Sequence, residues 1–377
     1  MVWLFWISAA FLAYTLAGYP AILLIMSRVR NRVHRRSTIW PSITVIIPAH
    51  NEGAMIHEKI ANTLQLDYPA DKLEILVASD GSTDDTVDVI RSFAATGVQL
   101  VELKEPHGKH YAQMLARERA KGEIIVFTDA GVLLDPDALQ KMASNFADPS
   151  VGCVSSEDRI LTSASSKSGE GSYVGFEMWL RRLESRVGSL VSASGSFFAA
   201  RKELCEVWHS HQSSDFFVPL HVAEKRLRSV VDPECIGYYG VTRKGGAEFQ
   251  RKVRTIVHGL DVAFSHRRVL NPFQYPVFSW QLFSHKFCRW LIPFGLLGLF
   301  IASAALWQEN NFYRSVFLLQ AALYGAGLLA LASRRLLALK ATRLAGFFLL
   351  ANAATLTAWM KFCSGEKFVS WRPTQRS

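Results

Sequence analysis

The sequence predicts an α/β domain built on a mainly parallel sheet and carried by membrane-spanning helices. Three observations predict it. Strand-like and helix-like segments alternate between Pro41 and about Gly240, long apolar runs lie on both sides of that stretch, and arginines crowd the boundary after the first run. Each element follows in chain order.

Trp3 to Met26 carries no charge. A spanning helix needs about 20 apolar residues, so residues 1–27 are expected to form a transmembrane helix. The run has no basic segment before it and is too long for the core of a signal peptide. Arg28, Arg30, Arg32, Arg35 and Arg36 follow. Such a flank marks the cytosolic side, which makes residues 28–40 a basic cytosolic linker.

Near the other end, Trp290–Gln308, Ser315–Ser333 and Leu344–Met360 are also free of charge. They predict two to three transmembrane helices over residues 290–360, the third run being short for a span. Residues 266–289 are aromatic-rich and broken by Pro272 and Pro276, which reads as interfacial helices. The tail, residues 361–377, holds Lys361, Lys367, Arg372 and Arg376. Counting every run as a span places that tail outside, against its charge. Runs without charge argue against a transporter or channel.

The net charge of +10 over 377 residues fits membrane-proximal flanks, membrane lipids and anionic substrates. The basic residues build no nucleic-acid motif, so no nucleic-acid partner is expected. Five scattered cysteines, an odd number without metal-ligand spacing, fit a reduced cytosolic domain at the inner membrane of the cell.

Between the membrane runs, Thr44–Pro48 is a β-branched apolar run and reads as a buried strand. Gly53–Leu66 has helical spacing, Leu73–Ala78 is a second strand, and Asp84–Ala95 a second helix capped near Thr83 or Asp84. Gln99–Leu103, Lys109–Ala120 and Glu123–Thr128 continue the alternation. Alternation of this kind predicts parallel strands with right-handed crossovers. Ligands then bind at the carboxyl ends of the strands.

Two acidic residues stand at such ends. Asp80 opens Asp80-Gly81-Ser82-Thr83-Asp84, where Gly81 permits a tight turn and the hydroxyls start the next helix. Asp129 follows the fourth strand, where a carboxylate can hold a hard cation that neutralises a diphosphate. Taken singly, each is also an ordinary turn residue.

Taken together with Pro48-Ala49-His50-Asn51-Glu52 after the first strand and Gly108-Lys109 before the third helix, they resemble the family-2 glycosyltransferases of the GT-A fold. The resemblance continues through Ser194-Gly195-Ser196-Phe197-Phe198, Asp215, Asp232-Pro233, Arg251-Lys252-Val253-Arg254 and Trp371-Arg372-Pro373, the last as in membrane-embedded members. It places the GT-A domain over residues 41–265.

The resemblance implies inverting transfer of a sugar from a nucleotide sugar, most often UDP-linked, to a polysaccharide or lipid-linked acceptor. By the same carry-over, Asp215 is the catalytic base and Asp129 reaches Mg2+ or Mn2+. Pro48, Ala49, Asn51, Glu52, Asp80, Gly81, Ser82 and Lys109 line the donor, with Arg251 and Arg254 over its diphosphate. Gly195 and Ser196 lie on the acceptor side, where the ring of Trp179 is a further candidate for stacking on sugar.

Three departures from the family pattern matter. The usual Asp-x-Asp reads Asp129-Ala130-Gly131, Ser214 replaces the Glu before the base, and Arg251 and Thr255 stand at the ends of the basic motif in place of Gln and Trp. They motivate an alternative, a degenerate nucleotide-sugar-binding subunit. His50, His107, His110 and His258 share no metal spacing and read as loop or surface residues.

Overall fold

The computed structural model describes residues 1–161, 169–205, 209, 212–240, 245–333 and 339–366. The Trp371-Arg372-Pro373 motif and the arginines at 334 and 335 lie outside them. Contacts divide the chain into two compact units, one gathering Met1–Ile25, Lys244–Val257 and Trp280–Glu366, the other mainly Met26–Arg243 and His258–Ser279.

The first unit is helical: α1 (Val2–Val29) comes first in the chain and α9, α10 and α11, defined below, come last. In the second unit the order is β1 (Ile43–Ala49), α2 (Gly53–Leu64), β2 (Leu73–Asp80), α3 (Thr86–Ser92) and β3 (Gln99–Leu103). Then come α4 (Lys109–Arg119), β4 (Ile124–Thr128), β5 (Val132–Leu134), α5 (Ala138–Ser144), β6 (Val151–Leu161) and α6 (Gly169–Val187). β7 (Phe197–Arg201), α7 (Ser214–Glu224) and β8 (Arg228–Gly240) complete it, and α8 (Gly245–Ser265) follows.

The sheet order is β3-β2-β1-β4-β7-β6-β8-β5. β3, β2, β1 and β4 are mutually parallel. β7 enters antiparallel beside β4, with Thr128 opposite Phe197. This pairing brings the residues before β7 to the carboxyl ends of β1, β2 and β4. β6 is antiparallel to β7 and parallel to β8, and β5 closes the order antiparallel to β8. The sheet is therefore mixed, with its parallel half at the first four strands. β1 and β4 are buried at every position, which is why they read as unbroken apolar runs rather than alternating ones. The core forms around Ile43, Val45, Ile47, Ile56, Ile60 and Val126.

Helix α3 starts later than the sequence suggests. Asp84 explains the difference, because its Oδ1 accepts from Thr86 N and Oγ1 at 3.1 and 2.5 Å. Its Oδ2 accepts from the Gly53 amide at 3.1 Å. One carboxylate thus serves the starts of α2 and α3, which suits the positive end of a helix.

The arginine flank is only partly a membrane signal. Arg36 reaches Asp232, whose side chain is fully buried, at 3.0 Å, and Glu234 at 2.9 Å. Asn145 Nδ2 also donates to Asp232 at 2.7 Å, and His34 donates to Asn145 at 2.6 Å. Asp232 is used to tie the linker to the α/β unit.

Among the described residues, four helices are long and apolar enough to cross a membrane: α1, α9 (Pro276–Ala305), α10 (Asn311–Ala332) and, within α11 (Lys340–Cys363), Thr342–Cys363. The third apolar run is thus longer than its uncharged stretch. α9 corrects the expected boundary at residue 290. Pro276 occupies the first helical position, where its missing N–H costs nothing, and the helix runs on through His285, Lys286 and Arg289. The expectation of spans free of charge therefore fails for α9. In the first unit Phe5 of α1 packs with Ala302 and Leu306 of α9. Apolar side chains on these helices, such as Trp3, Ile7 and Leu319, are exposed.

Candidate functional site

The parallel strands deliver the residues after β1, β2 and β4 to one end of the sheet. Pro48 and Ala49 close β1 and are buried. Asn51 then adopts φ 54°, a left-handed conformation that asparagine tolerates. Its amide donates to Ser82 Oγ at 3.1 Å, and its Oδ1 accepts from the Thr83 amide at 2.7 Å. The Glu52 amide donates to Thr86 Oγ1 at 2.9 Å. The two loops assigned to the donor are therefore laced into one surface.

Asp80 has no exposure. Its two oxygens accept from the amides of His107 and Gly108, each at 2.7 Å, and its carbonyl accepts from His50 Nδ1 at 2.6 Å. A buried carboxylate needs such donors. Asp80 thus orders the loop that leads into α4. Gly81 sits at φ +60°, and a Cβ there would meet Pro106 N at 2.5 Å, so only glycine fits.

Lys109, the first residue of α4, reaches across the strand ends. Its Nζ lies 2.5 Å from Asp129 Oδ1 and 3.1 Å from the Gly195 carbonyl. The Asp129 amide donates to the Ser196 carbonyl at 3.0 Å. The amide of Ala193 donates to the Asp215 carbonyl at 2.8 Å. A Cβ on Gly195 would stand 3.3 Å from Asp215 Oδ2, so the backbone of Gly195 backs that carboxylate closely. Lys109, Asp129, Gly195, Ser196 and Asp215 therefore form one connected group.

Asp215 lies in the first turn of α7, with Ser213 as the capping residue. Asp215 is therefore not the cap of this helix. The start of α7 is held from α4: Ser214 Oγ donates to Gln113 Oε1 at 2.8 Å. Trp179 lies on α6, its ring tilted against Phe176 at 5.7 Å. Arg251 and Arg254 lie on α8, in the stretch that belongs to the helical unit. Burial and the neighbouring Arg251 both lower the pKa of Arg254.

Sequence reading missed Lys59. It has no exposure, and its Nζ donates to Thr128 Oγ1 at 2.9 Å and to the Val132 carbonyl at 2.6 Å. Desolvation lowers its pKa to about 7, against the raising effect of the Asp129 charge. The signal was present: Lys59 interrupts the inward face Ile56, Ile60, Thr63 of α2. Asp158 reaches the same group from β6. It accepts from Ser194 Oγ at 2.7 Å and Ser196 Oγ at 2.6 Å, and so holds both sides of Gly195.

Among the described residues, no three ligating side chains gather around a common point. Asp129 still fits a minimal cation site. Magnesium-type ions accept one or two carboxylates and take their remaining oxygens from phosphate and water.

The family model described as Glycosyl transferase family 2 matches residues 44–207. An N-acetylglucosaminyltransferase of Rhizobium sp. (strain N33) is 28% identical over 167 residues, 42% of this chain and 37% of that protein. A poly-beta-1,6-N-acetyl-D-glucosamine synthase of Staphylococcus aureus (strain COL) is 29% identical over 164 residues, 42% of this chain and 39% of that protein. The match thus spans less than two fifths of the length of these curated relatives. A solved mannosyltransferase of Pyrobaculum calidifontis, in complex with GDP-Man and Mn2+, is similar over 97% of this chain and 100% of its own, with TM-score 0.74 and 26% identity.

Proposed function

Since residues 44–207 are a family-2 glycosyltransferase domain of the GT-A fold, we propose that the chain is an inverting, membrane-bound glycosyltransferase. It moves a sugar from a nucleoside diphosphate sugar to a polysaccharide or lipid-linked acceptor at the cytosolic face. The observation that carries this reading is the connected group of Lys109, Asp129, Gly195 and Asp215 at the carboxyl end of the parallel strands.

The chemistry follows from their placement. Asp215 takes the proton of the acceptor hydroxyl as its oxygen bonds to the anomeric carbon. The bond from that carbon to the diphosphate oxygen breaks in the same displacement, and the diphosphate leaves with the electron pair. A base contributes about 10²–10⁴ in rate to such a step. Lys109 faces the growing negative charge, where a fixed cation acts most strongly. A divalent cation, when bound at Asp129, supplies further neutralisation of the diphosphate. The loops at Pro48–Glu52 and Asp80–Ser82 shape the nucleoside side. Arg251 and Arg254 are assigned to the diphosphate by resemblance alone.

The donor sugar is the open element of the proposal. The relatives are named for N-acetylglucosamine over part of the chain, and the structural neighbour carries GDP-Man over nearly all of it. A panel of labelled UDP- and GDP-sugars with a membrane extract tests the reading. Incorporated label is expected with one donor. Asp215→Asn should lose about 10²-fold or more of transfer and keep nucleotide binding. Transfer at the normal rate by a folded Asp215→Asn protein would remove Asp215 from its role. Nucleotide binding without any transfer by the wild type would favour the degenerate subunit.

The membrane layout belongs to the same proposal, with residues 1–27 as the first span, residues 41–265 cytosolic and the final helices in the bilayer. Cys153, Cys205 and Cys235 are buried, so thiol reagents miss them from either side. An exposed probe on the α/β unit is needed, and Lys104→Cys supplies one once the exposed native thiol is removed by Cys363→Ser. It should react with an impermeant maleimide only after the cells are permeabilised. Labelling in intact cells would reverse the orientation.

A further inference from the structure

Lys59 is the only lysine among the described residues with no exposure. Its position on the inward face of α2 calls for a hydrocarbon side chain. Ile56 and Ile60 surround it there, and a methionine of similar length would fill the space. Burying an ammonium among neutral acceptors is costly, and two hydrogen bonds do not restore the lost hydration. Packing therefore gives no reason for a lysine.

The identity of its two acceptors does. Thr128 ends β4 and Val132 begins β5, so they flank Asp129-Ala130-Gly131 on both sides. The Val132 amide donates to the Asp129 carbonyl at 3.1 Å and closes the turn from above. The ammonium of Lys59 holds both ends of it from within the core, at 2.9 and 2.6 Å. Lys109 meets the same Asp129 from the open side. One ammonium thus pairs with the carboxylate itself, and a second, in the core, holds the residues on either side of its turn.

We propose that Lys59 is a positioning residue for the donor site: its buried ammonium sets the Asp129 turn and leaves Lys109 free to turn to the donor's phosphates. This rests on the assignment of Asp129 to the donor site. The hydrogen bonds of Lys59 to Thr128 and Val132 do not depend on Lys109, so the turn keeps its place when Lys109 moves.

The test uses the full-length protein in detergent. Lys59→Met and Thr128→Val are compared with wild type by thermal unfolding and by calorimetric titration of UDP and GDP in the presence of Mn2+. Lys59→Met is expected to melt at or above the wild-type temperature, because a desolvated charge has been removed, and to bind the diphosphate at least tenfold more weakly. Thr128→Val keeps the shape and loses one tether, so its affinity should fall in the same direction by less. A lysine with a purely structural role would move the melting temperature and leave the affinity of the folded protein alone. A folded Lys59→Met protein that binds within twofold of wild type overturns the proposal. If Lys59→Met does not fold, Thr128→Val decides: weakened binding supports the proposal, and binding within twofold overturns it. A wild-type protein that binds neither diphosphate would sink the donor-site reading, and this inference with it.

Discussion

Asp80 closes β2 and Asp129 directly follows β4, two strands separated in the sheet by β1 alone. In the sequence both are a carboxylate after an apolar run. Their surroundings differ. Asp80 is fully buried, and both of its oxygens are spent on backbone amides. Asp129 keeps 24% of its side chain exposed and is met by a lysine side chain. Backbone amides cannot leave, whereas a lysine side chain can. A strand-end carboxylate therefore serves either to build the site or to meet a ligand, and its partner distinguishes the two.

Exchanging each acid for its amide sharpens the contrast. Asp129→Asn should cost the larger effect, about 10²–10³ in kcat, the usual loss when one element of the stabilisation of a developing charge is removed, here the carboxylate that would hold the neutralising cation. Its melting temperature should stay close to wild type, because the pair it breaks is partly exposed. Steady-state kinetics beside a melting curve measures both. Normal turnover by Asp129→Asn would place the leaving-group stabilisation elsewhere.

Asp80→Asn should do the opposite. The amide nitrogen of the new side chain would face a backbone N–H, and a buried charge-assisted bond would be lost. A destabilisation of about 1–3 kcal/mol is expected, with turnover per folded molecule falling less than for Asp129→Asn. Chemical denaturation measures it. An Asp80→Asn protein of unchanged stability that no longer turns over would break the comparison, and Asp80 would then act on the ligand directly.

The parallel half of the fold was legible for a physical reason. β1 and β4 are buried on both faces, so Thr44–Pro48 stands out as an unbroken apolar run, while the edge strand Gln99–Leu103 stands out by mixing buried and exposed positions between two helical stretches. The antiparallel half was not. β8 mixes buried and exposed positions and contains Pro233, and β7 is set beside β4 by a pairing between residues far apart in sequence. The site was legible where a residue type is unusual after a strand, as with Asp80 and Asp129. It was illegible where the residue lies inside a helix pattern, as with Lys59, or where hydroxyls meet a carboxylate far from them in sequence, as those of Ser194 and Ser196 meet Asp158. The start of α9 was missed because a proline that looks like an interruption serves as a first helical residue.

The full burial of Asp80 has a consequence for how the molecule responds to its medium. Mobile ions screen charges they can approach, and at about 0.15 M salt that screening acts over about 8 Å. They have no access to a carboxylate sealed behind two amides, so the loop before α4 keeps its shape in strong brine as in dilute buffer. The Lys109–Asp129 pair at the surface enjoys no such shelter. Ionic strength thus separates the two halves of the proposed donor surface: one is set by the fold, and the other is negotiated with the solution.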